Sequence, residues 1–162
     1  MKKSGFTLVE ILIVVIILGI LAAIVIPQFT SASESAKEAN LKSDLLTLRN
    51  QLELYRVQHG DQYPWEISTV LFDSDKIIAQ LTSKTDVDGT VNTTGGKFGP
   101  YLDKMPTNLF VKDRGGATPE AFAFAASPAN ASTSGDGWML DTDANKVHAN
   151  SDPTAYPDHF DF

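Results

Sequence analysis

A long apolar segment near the N-terminus restricts the fold of this chain more than any other feature. From Ile11 to Ile26 no residue is charged or strongly polar. Counted from Phe6, the segment has 21 residues, which corresponds to about 31 Å of α-helix. A helix of that length can cross the hydrocarbon core of a bilayer, which is about 30 Å thick. The sequence therefore predicts a membrane-inserted helix.

Two ordinary interpretations of this segment account for its hydrophobicity. A secretory signal peptide would need a small-x-small cleavage site after the apolar run. Here Ala22–Ala23 lies inside the run, and residues 26–28 make a poor site. A simple signal anchor also fits, because Lys2 and Lys3 would hold the N-terminus in the cytoplasm. A third interpretation adds cleavage on the cytoplasmic side of the anchor.

The residues around Gly5 favour that third interpretation. The sequence KKSGFTLVE resembles the leader and cleavage region of type IV prepilins and type II secretion pseudopilins. In that family a membrane peptidase cuts after the Gly, and the new first residue is N-methylated. The resemblance implies cleavage between Gly5 and Phe6 and methylation of Phe6. Glu10, Gly19 and Pro27 also stand where the family places a Glu, a Gly and a Pro.

Glu10 has two compatible interpretations. An acidic side chain inside a membrane is costly, so it usually has a partner. The spacing from Thr7 to Glu10 matches a capping box, in which the two side chains satisfy free backbone N–H groups at a helix start. The resemblance implies a second role, in which Glu10 pairs with the positive Phe6 amine of a neighbouring subunit. Such a pair would fix the axial register of a filament.

Gly19 and Pro27 bracket a segment of low helix stability. Pro27 lacks an N–H group and crowds the carbonyl of Ala23, and Gly19 lowers helix propensity. The resemblance implies that this segment can lose helix when subunits pack together. Both residue types are also common in membrane helices, so either could be incidental.

An amphipathic pattern continues the helix beyond Pro27. Its apolar stripe recurs at helical spacing and comprises Leu41, Leu45, Leu48, Leu52 and Tyr55. We expect this stripe to pack under a globular domain and the helix to end at His59–Gly60. A membrane anchor and a separate amphipathic helix, joined near Pro27, would give the same pattern.

The remaining sequence predicts one short helix and three strands. Ile77 to Leu81 has helical spacing, and the polar, Gly-rich residues 84–97 predict an exposed loop. Alternating apolar residues predict three antiparallel strands, which contain Phe122 and Phe124, Trp138 and Leu140, and residues 146–149. The structure of the tail from Ser151 onward is left open.

Two later segments are also similar to the pilin-like family, and most of all to the major (G-type) pseudopilins. They are Gly99–Leu102 with Pro106, and residues 137–150. The resemblance implies an α+β pilin fold, with one long N-terminal helix packed on a small antiparallel three-stranded sheet. The expected divisions are a leader peptide at 1–5, a transmembrane and assembly helix at 6–28, the amphipathic half of the helix at 29–60, and a C-terminal globular domain at 61–162.

Composition and motif spacing argue against other classes of function. The net charge of -7 argues against nucleic acid as the main partner, since phosphate binding needs clustered Lys and Arg. No Cys is present, so disulfides and thiolate metal sites are excluded. His59, His148 and His159 lack metal-site spacing, and we expect them on the surface. No catalytic constellation points to an enzyme.

Asp141 and Asp143 are the only residues that suggest a bound ion. Ca²⁺ prefers several oxygen ligands, and the family resemblance implies Ca²⁺ in a C-terminal loop. The segment lacks a full ligand set, however, so an ordinary hairpin turn is the favoured interpretation and no other cofactor is expected.

Together these features predict a structural filament subunit rather than an enzyme. The resemblance implies the major pseudopilin of a type II protein secretion system. Its expected partners are other copies of itself, the prepilin peptidase and methyltransferase, the inner-membrane assembly platform and minor pseudopilins. The expected location is the bacterial inner membrane, crossed once, with the N-terminus cytoplasmic and the C-terminal domain periplasmic or extracellular.

Two alternatives remain open at this point. A true type IV pilin, used in adhesion, twitching motility or DNA uptake, would share most of these features. A membrane-anchored binding module that never polymerises is a hypothesis of another class. Such a module would not need Glu10 or the Gly5–Phe6 junction, both of which this chain has.

Overall fold

A computed structural model describes residues 5–67, 73–111, 118–125, 136–141, 144–151 and 159. The chain divides into two compact units, Met1–Ala39 and Asn40–Phe162. Within the described residues there are two helices and three strands, as the sequence predicts.

The first helix, α1, extends over Leu8–Gln58. It is continuous through Gly19 and Pro27, so the isolated chain keeps the helix across that segment. Its C-terminus is formed by Gly60 and Asp61, which have φ values of 69° and 64°. The Asp61 N–H donates to the Arg56 carbonyl at 2.9 Å, which satisfies one of the free carbonyls at the helix end. The predicted end at His59–Gly60 is confirmed to within one residue.

The predicted apolar stripe is the buried face of α1 in the second unit. All five stripe residues are buried, and Leu48 and Tyr55 are fully enclosed. They form one core with residues from the rest of the unit, including Trp65, Trp138 and Val147. Burial of one such side chain contributes about 1.5–3 kcal/mol, so this face holds α1 on the globular part of the unit.

The second helix, α2, extends over Ser74–Thr82 and confirms the short helix predicted from Ile77 to Leu81. Asp73 is its N-cap, and Asp73 Oδ1 accepts a hydrogen bond from the Lys76 N–H at 3.3 Å. This bond lowers the pKa of the Asp73 carboxyl. Ile77 and Leu81 face the core and are fully buried.

The sheet consists of β1 (Phe122–Ala125), β2 (Trp138–Asp141) and β3 (Lys146–Ala149), in the order β1-β2-β3. The β2–β3 pair is antiparallel, with Trp138 opposite Ala149, as predicted. The β1–β2 pair is parallel, with Phe122 opposite Trp138, so the expectation of a fully antiparallel sheet was wrong. Two-residue hairpins join only antiparallel strands. A parallel pair needs a connection of about a dozen residues or more, and the segment between Ala125 and Trp138 is that long.

The predicted exposed loop at 84–97 is partly folded into the core. Thr85 is fully buried and pairs through single β-bridges with Val91 and with Phe98. Gly89 is buried too, and its carbonyl accepts a hydrogen bond from Gln80 Nε2 at 2.8 Å. The polar composition of the segment did not predict the burial of these residues. Hydrogen bonds to α2 and between the bridged residues satisfy their buried polar groups.

The expectation of surface histidines was wrong for His59 and His159, which are 3% and 2% exposed. The His59 ring stacks on Tyr55 with the centroids 3.8 Å apart, and its Nδ1 lies 2.9 Å from the Tyr55 carbonyl oxygen. A carbonyl only accepts, so Nδ1 carries the hydrogen. His159 Nδ1 lies 2.8 Å from Ser151 Oγ. Side-chain hydrogen bonding therefore makes both burials tolerable.

Gly89→Ala should lower the free energy of unfolding by about 1–2 kcal/mol, because its left-handed backbone conformation resists a side chain and the neighbouring side chains would have to shift. Gly89 has φ 79°, and an added Cβ would collide with Ile67 Cδ1 and lie 2.8 Å from Tyr55 Oη. The check is denaturant unfolding of the detergent-solubilised protein. Gly95→Ala is the matched control, since its Cβ would meet only the Asn92 side chain at ordinary distances. Equal stability of the two variants would contradict the packing described here.

Candidate functional site

The start of α1 is closed by reciprocal hydrogen bonds between Thr7 and Glu10. The Glu10 N–H donates to Thr7 Oγ1 at 3.3 Å. Glu10 Oε2 accepts from the Thr7 N–H at 2.9 Å and from Thr7 Oγ1 at 2.8 Å. This geometry confirms the predicted capping box.

Both bonds to the Glu10 carboxylate end on one oxygen. Oε2 receives them, whereas Oε1 has no hydrogen-bond partner among the residues that the structure describes. A carboxylate has about four lone-pair sites, so it can accept further donors. The cap therefore leaves Glu10 able to receive a cation from outside the chain, and the two interpretations of Glu10 are geometrically compatible.

The apolar side chains of the first unit lie open on α1. Their exposed fractions range from 50% at Val14 to 83% at Leu8, and Phe6 is 82% exposed. By length and composition α1 could cross a membrane, and its most apolar 18-residue window has a mean hydropathy of 3.3. Soluble monomers rarely expose contiguous apolar patches above a few hundred Å². This surface therefore suits a lipid or protein environment rather than water.

Gly19 and Pro27 lie within this exposed part of α1. A Cβ added at Gly19 would meet nothing within 4 Å, so packing inside the isolated chain does not require a Gly there. Near Pro27, Thr30 Oγ1 donates to the Ile26 carbonyl at 3.1 Å, a type of bond that often bends helices slightly. The roles of both residues in assembly stay predictions.

The suggested Ca²⁺ site at Asp141 and Asp143 shows only turn geometry. Asp141 ends β2 and is 7% exposed, and its Oδ1 accepts from the Ala144 N–H at 3.0 Å. Asp143 lies outside the described residues. In the part of the chain that is described, no three His, Cys, Asp or Glu residues are grouped as metal ligands. Ca²⁺ binding stays a prediction.

A direct link between α1 and the sheet was not foreseen. Arg49 Nε donates to the Val147 carbonyl of β3 at 2.9 Å, and burial lowers the pKa of the guanidinium. Glu53 stands four residues after Arg49 on α1 but has other partners. Glu53 lies 3.3 Å from Arg56 Nε and accepts a hydrogen bond from the Tyr63 hydroxyl. The local sequence does not show that Arg49 bonds to the sheet while Glu53 bonds to Arg56 and Tyr63.

Comparisons with known proteins agree with the N-terminal geometry. The family model described as "Prokaryotic N-terminal methylation motif" matches residues 1–26. That segment includes the Gly5–Phe6 junction, the Thr7–Glu10 cap and the whole apolar span from Phe6 to Ile26. No solved structure matches the chain significantly.

Curated relatives extend the similarity beyond this motif. Type II secretion system core protein G of Pseudomonas aeruginosa is 45% identical over 58 residues, which is 36% of this chain and 41% of the relative. The Aeromonas hydrophila protein of the same name is 40% identical over 63 residues, or 39% and 43% of the two chains. The chain thus spans about two fifths of the length of these two relatives.

A third relative matches over most of both chains. Type II secretion system core protein G of Vibrio cholerae is 40% identical over 112 residues, which is 69% of this chain and 68% of the relative. Identity of that degree over more than two thirds of each chain indicates a shared family rather than a shared motif alone. The chain therefore belongs to the family of type II secretion system core protein G, the G-type pseudopilins of the pilin-like proteins.

Proposed function

We propose that this protein is the major structural subunit of a type II secretion pseudopilus. Its work is mechanical: subunits leave the membrane, stack through their N-terminal helices and push or carry exported proteins outward. The observation that supports this most strongly is a single carboxylate, Glu10, at the start of the exposed apolar half of α1, in a chain that belongs to the G-type family.

Processing prepares the chain for assembly. A prepilin peptidase removes the leader, residues 1–5, by cutting between Gly5 and Phe6, and the new Phe6 amine receives one methyl group. The match to the N-terminal methylation motif supports this step. Cleavage leaves a cation at Phe6, four residues before the carboxylate of Glu10.

The N-terminal half of α1 then lies first in the membrane and later in the filament. In the membrane, residues 6–28 lie in lipid, and the Thr7–Glu10 cap satisfies the first free N–H groups of α1. In the filament, the same residues pack against other copies, and Glu10 accepts the Phe6 amine of a neighbour. Attraction between the two charges is far stronger in a low-dielectric layer than in water. This pairing fixes the axial register of the subunits in the filament, and no catalytic step is needed.

The topology follows from the same segment. The protein crosses the inner membrane once, with the N-terminus cytoplasmic, the amphipathic half at 29–60 and the globular part at 61–162 on the periplasmic side. Its partners are other copies of itself, the prepilin peptidase and methyltransferase, the assembly platform and the minor pseudopilins. The exposed apolar half of α1 and the compact second unit support this arrangement.

Deleting the gene tests the proposed function directly. We expect exported enzymes to accumulate in the periplasm while surface fibres, adhesion and twitching stay unchanged. Re-expression of the protein should restore export. The opposite result, normal export with loss of surface fibres, would contradict a secretion role and assign the protein to a true pilus.

A further inference from the structure

Two buried polar atoms of the second unit have no hydrogen-bond partner among the residues that the structure describes. They are Tyr55 Oη on α1 and Gln80 Oε1 on α2. Tyr55 is 0% exposed and Gln80 is 2% exposed. Native proteins rarely leave such groups unpaired, because a buried polar group without a partner keeps its full desolvation penalty.

Both side chains reach the same turn of the chain. Residues 84–92 form a tight hairpin, which is closed by backbone hydrogen bonds between its two arms. A Cβ added at Gly89, in the turn of this hairpin, would lie 2.8 Å from Tyr55 Oη and 3.2 Å from Gln80 Nε2. The nearest atom to that position is the methyl carbon Ile67 Cδ1. The two polar side chains therefore meet on one side of Gly89, beside an apolar side chain that offers neither of them a hydrogen bond.

The orientation of the Gln80 amide is fixed by a hydrogen bond to the hairpin. Gln80 Nε2 donates to the Gly89 carbonyl at 2.8 Å. A carbonyl oxygen only accepts, so the reversed amide would place two acceptors against each other. Oε1 is therefore the atom that is left over, and it requires a donor.

The Tyr55 hydroxyl is held in position, and its polar neighbours are already engaged. The Tyr55 ring stacks on His59 with the centroids 3.8 Å apart. His59 Nε2 lies 3.1 Å from Thr85 Oγ1, and the Tyr101 hydroxyl donates to Gln58 Oε1 at 2.7 Å. Burial raises the pKa of the Tyr55 hydroxyl, so the group keeps its hydrogen and requires an acceptor.

One water molecule meets both requirements. Water can accept the hydrogen of a hydroxyl group and donate one of its own to an amide oxygen. Holding one ordered water costs only the immobilisation of that molecule, whereas two unpaired buried groups would each keep a desolvation penalty. Internal waters in proteins typically lie between buried polar groups of this kind.

We infer that an internal water accepts a hydrogen bond from Tyr55 Oη and donates one to Gln80 Oε1. This water site links α1 to α2 beneath the hairpin at residues 84–92. The inference goes beyond the proposed function and does not depend on it, because the site lies within the second unit of a single subunit.

A crystal structure of the detergent-solubilised full chain, at a resolution that shows ordered water, tests the site directly. We expect a water peak within about 3.2 Å of both Tyr55 Oη and Gln80 Oε1. A structure without this peak would overturn the inference, whether the two atoms are unpaired or bonded directly to each other.

Tyr55→Phe tests the same site through stability, since it removes the hydroxyl and keeps the ring. If the hydroxyl bonds to water, the equilibrium constant for unfolding should rise about five- to tenfold, as measured by denaturant unfolding in detergent. Tyr101→Phe is the matched control, because it removes a hydroxyl with a known partner, and it should give a rise of similar size. An unchanged or smaller unfolding constant for Tyr55→Phe would overturn the inference, since removal of an unpaired buried group is neutral or stabilising.

A double-mutant cycle tests whether the two atoms share one partner. Gln80→Met removes Oε1 and keeps a side chain of similar length. In this background Tyr55→Phe should change the unfolding constant by no more than about twofold. An effect as large as in the unsubstituted protein would mean that the two atoms share no water and would overturn the bridge. If Gln80→Met does not fold, the crystal structure and the comparison of Tyr55→Phe with Tyr101→Phe decide the question.

Discussion

Glu10→Gln should abolish filament assembly while leaving the folded subunit and its processing intact. Gln is a capping-box residue like Glu and keeps the hydrogen bonds to Thr7, so the substitution removes the charge without removing the cap. Breaking one partner of a desolvated ion pair is strongly destabilising. We expect the concentration needed for assembly to rise at least about a hundredfold, as measured by sedimentation of sheared filaments.

Two controls separate the charge of Glu10 from other effects. Glu34→Gln makes the same chemical change at another exposed position of α1 and should leave assembly unchanged. Mass spectrometry should show that both the native protein and Glu10→Gln lack residues 1–5 and carry one methyl group on Phe6. Normal assembly of Glu10→Gln would mean that Glu10 acts only as a cap, and an intact Met1 start would contradict the processing proposed for the family motif.

Leu48→Ala should cause a large loss of stability in the second unit. Leu48 is fully buried in the core of the second unit, and truncation of such a side chain costs about 2–5 kcal/mol. For a unit of this size the midpoint of thermal unfolding should fall by on the order of 10 °C. The measurement is circular dichroism of the detergent-solubilised subunit, in which assembly does not contribute.

Leu46→Ala is the matched control for this prediction. Leu46 stands two residues earlier on the same helix and is 59% exposed, so its truncation should change the stability of the dispersed subunit by less than about 0.5 kcal/mol. Equal losses of stability for the two variants would contradict the buried and exposed faces assigned to α1.

Local patterns account for the features that were predicted correctly. The apolar span, the buried stripe from Leu41 to Tyr55 and the Thr7–Glu10 cap each depend on spacings of three or four residues along one helix. The β2–β3 hairpin likewise joins segments that are close in sequence. In all of these cases the residues that interact lie within a few turns or a short loop of each other.

Contacts between distant segments account for the features that were missed. The parallel pairing of β1 with β2 depends on the long connection between them, which carries no strong signal of its own. Burial of His59 depends on Tyr55, Thr85 and Phe98, which come from α1 and from both ends of the polar segment at 84–98. Composition therefore predicted exposure where tertiary hydrogen bonding and ring stacking produced a core.

The same distinction applies to the candidate site. The capping geometry of Glu10 follows from four consecutive residues and was predictable. Its pairing with Phe6 involves a second subunit, and the sequence suggests it only through resemblance to the family.

A near-atomic cryo-electron microscopy reconstruction of the assembled filament tests the central proposal most directly. We expect the Phe6 amine of each subunit to lie within about 3 Å of a Glu10 carboxylate oxygen of a neighbouring subunit, at hydrogen-bonding distance. A filament in which every Phe6 amine lies far from every Glu10 carboxylate, and Glu10 bonds only to its own Thr7, would contradict it.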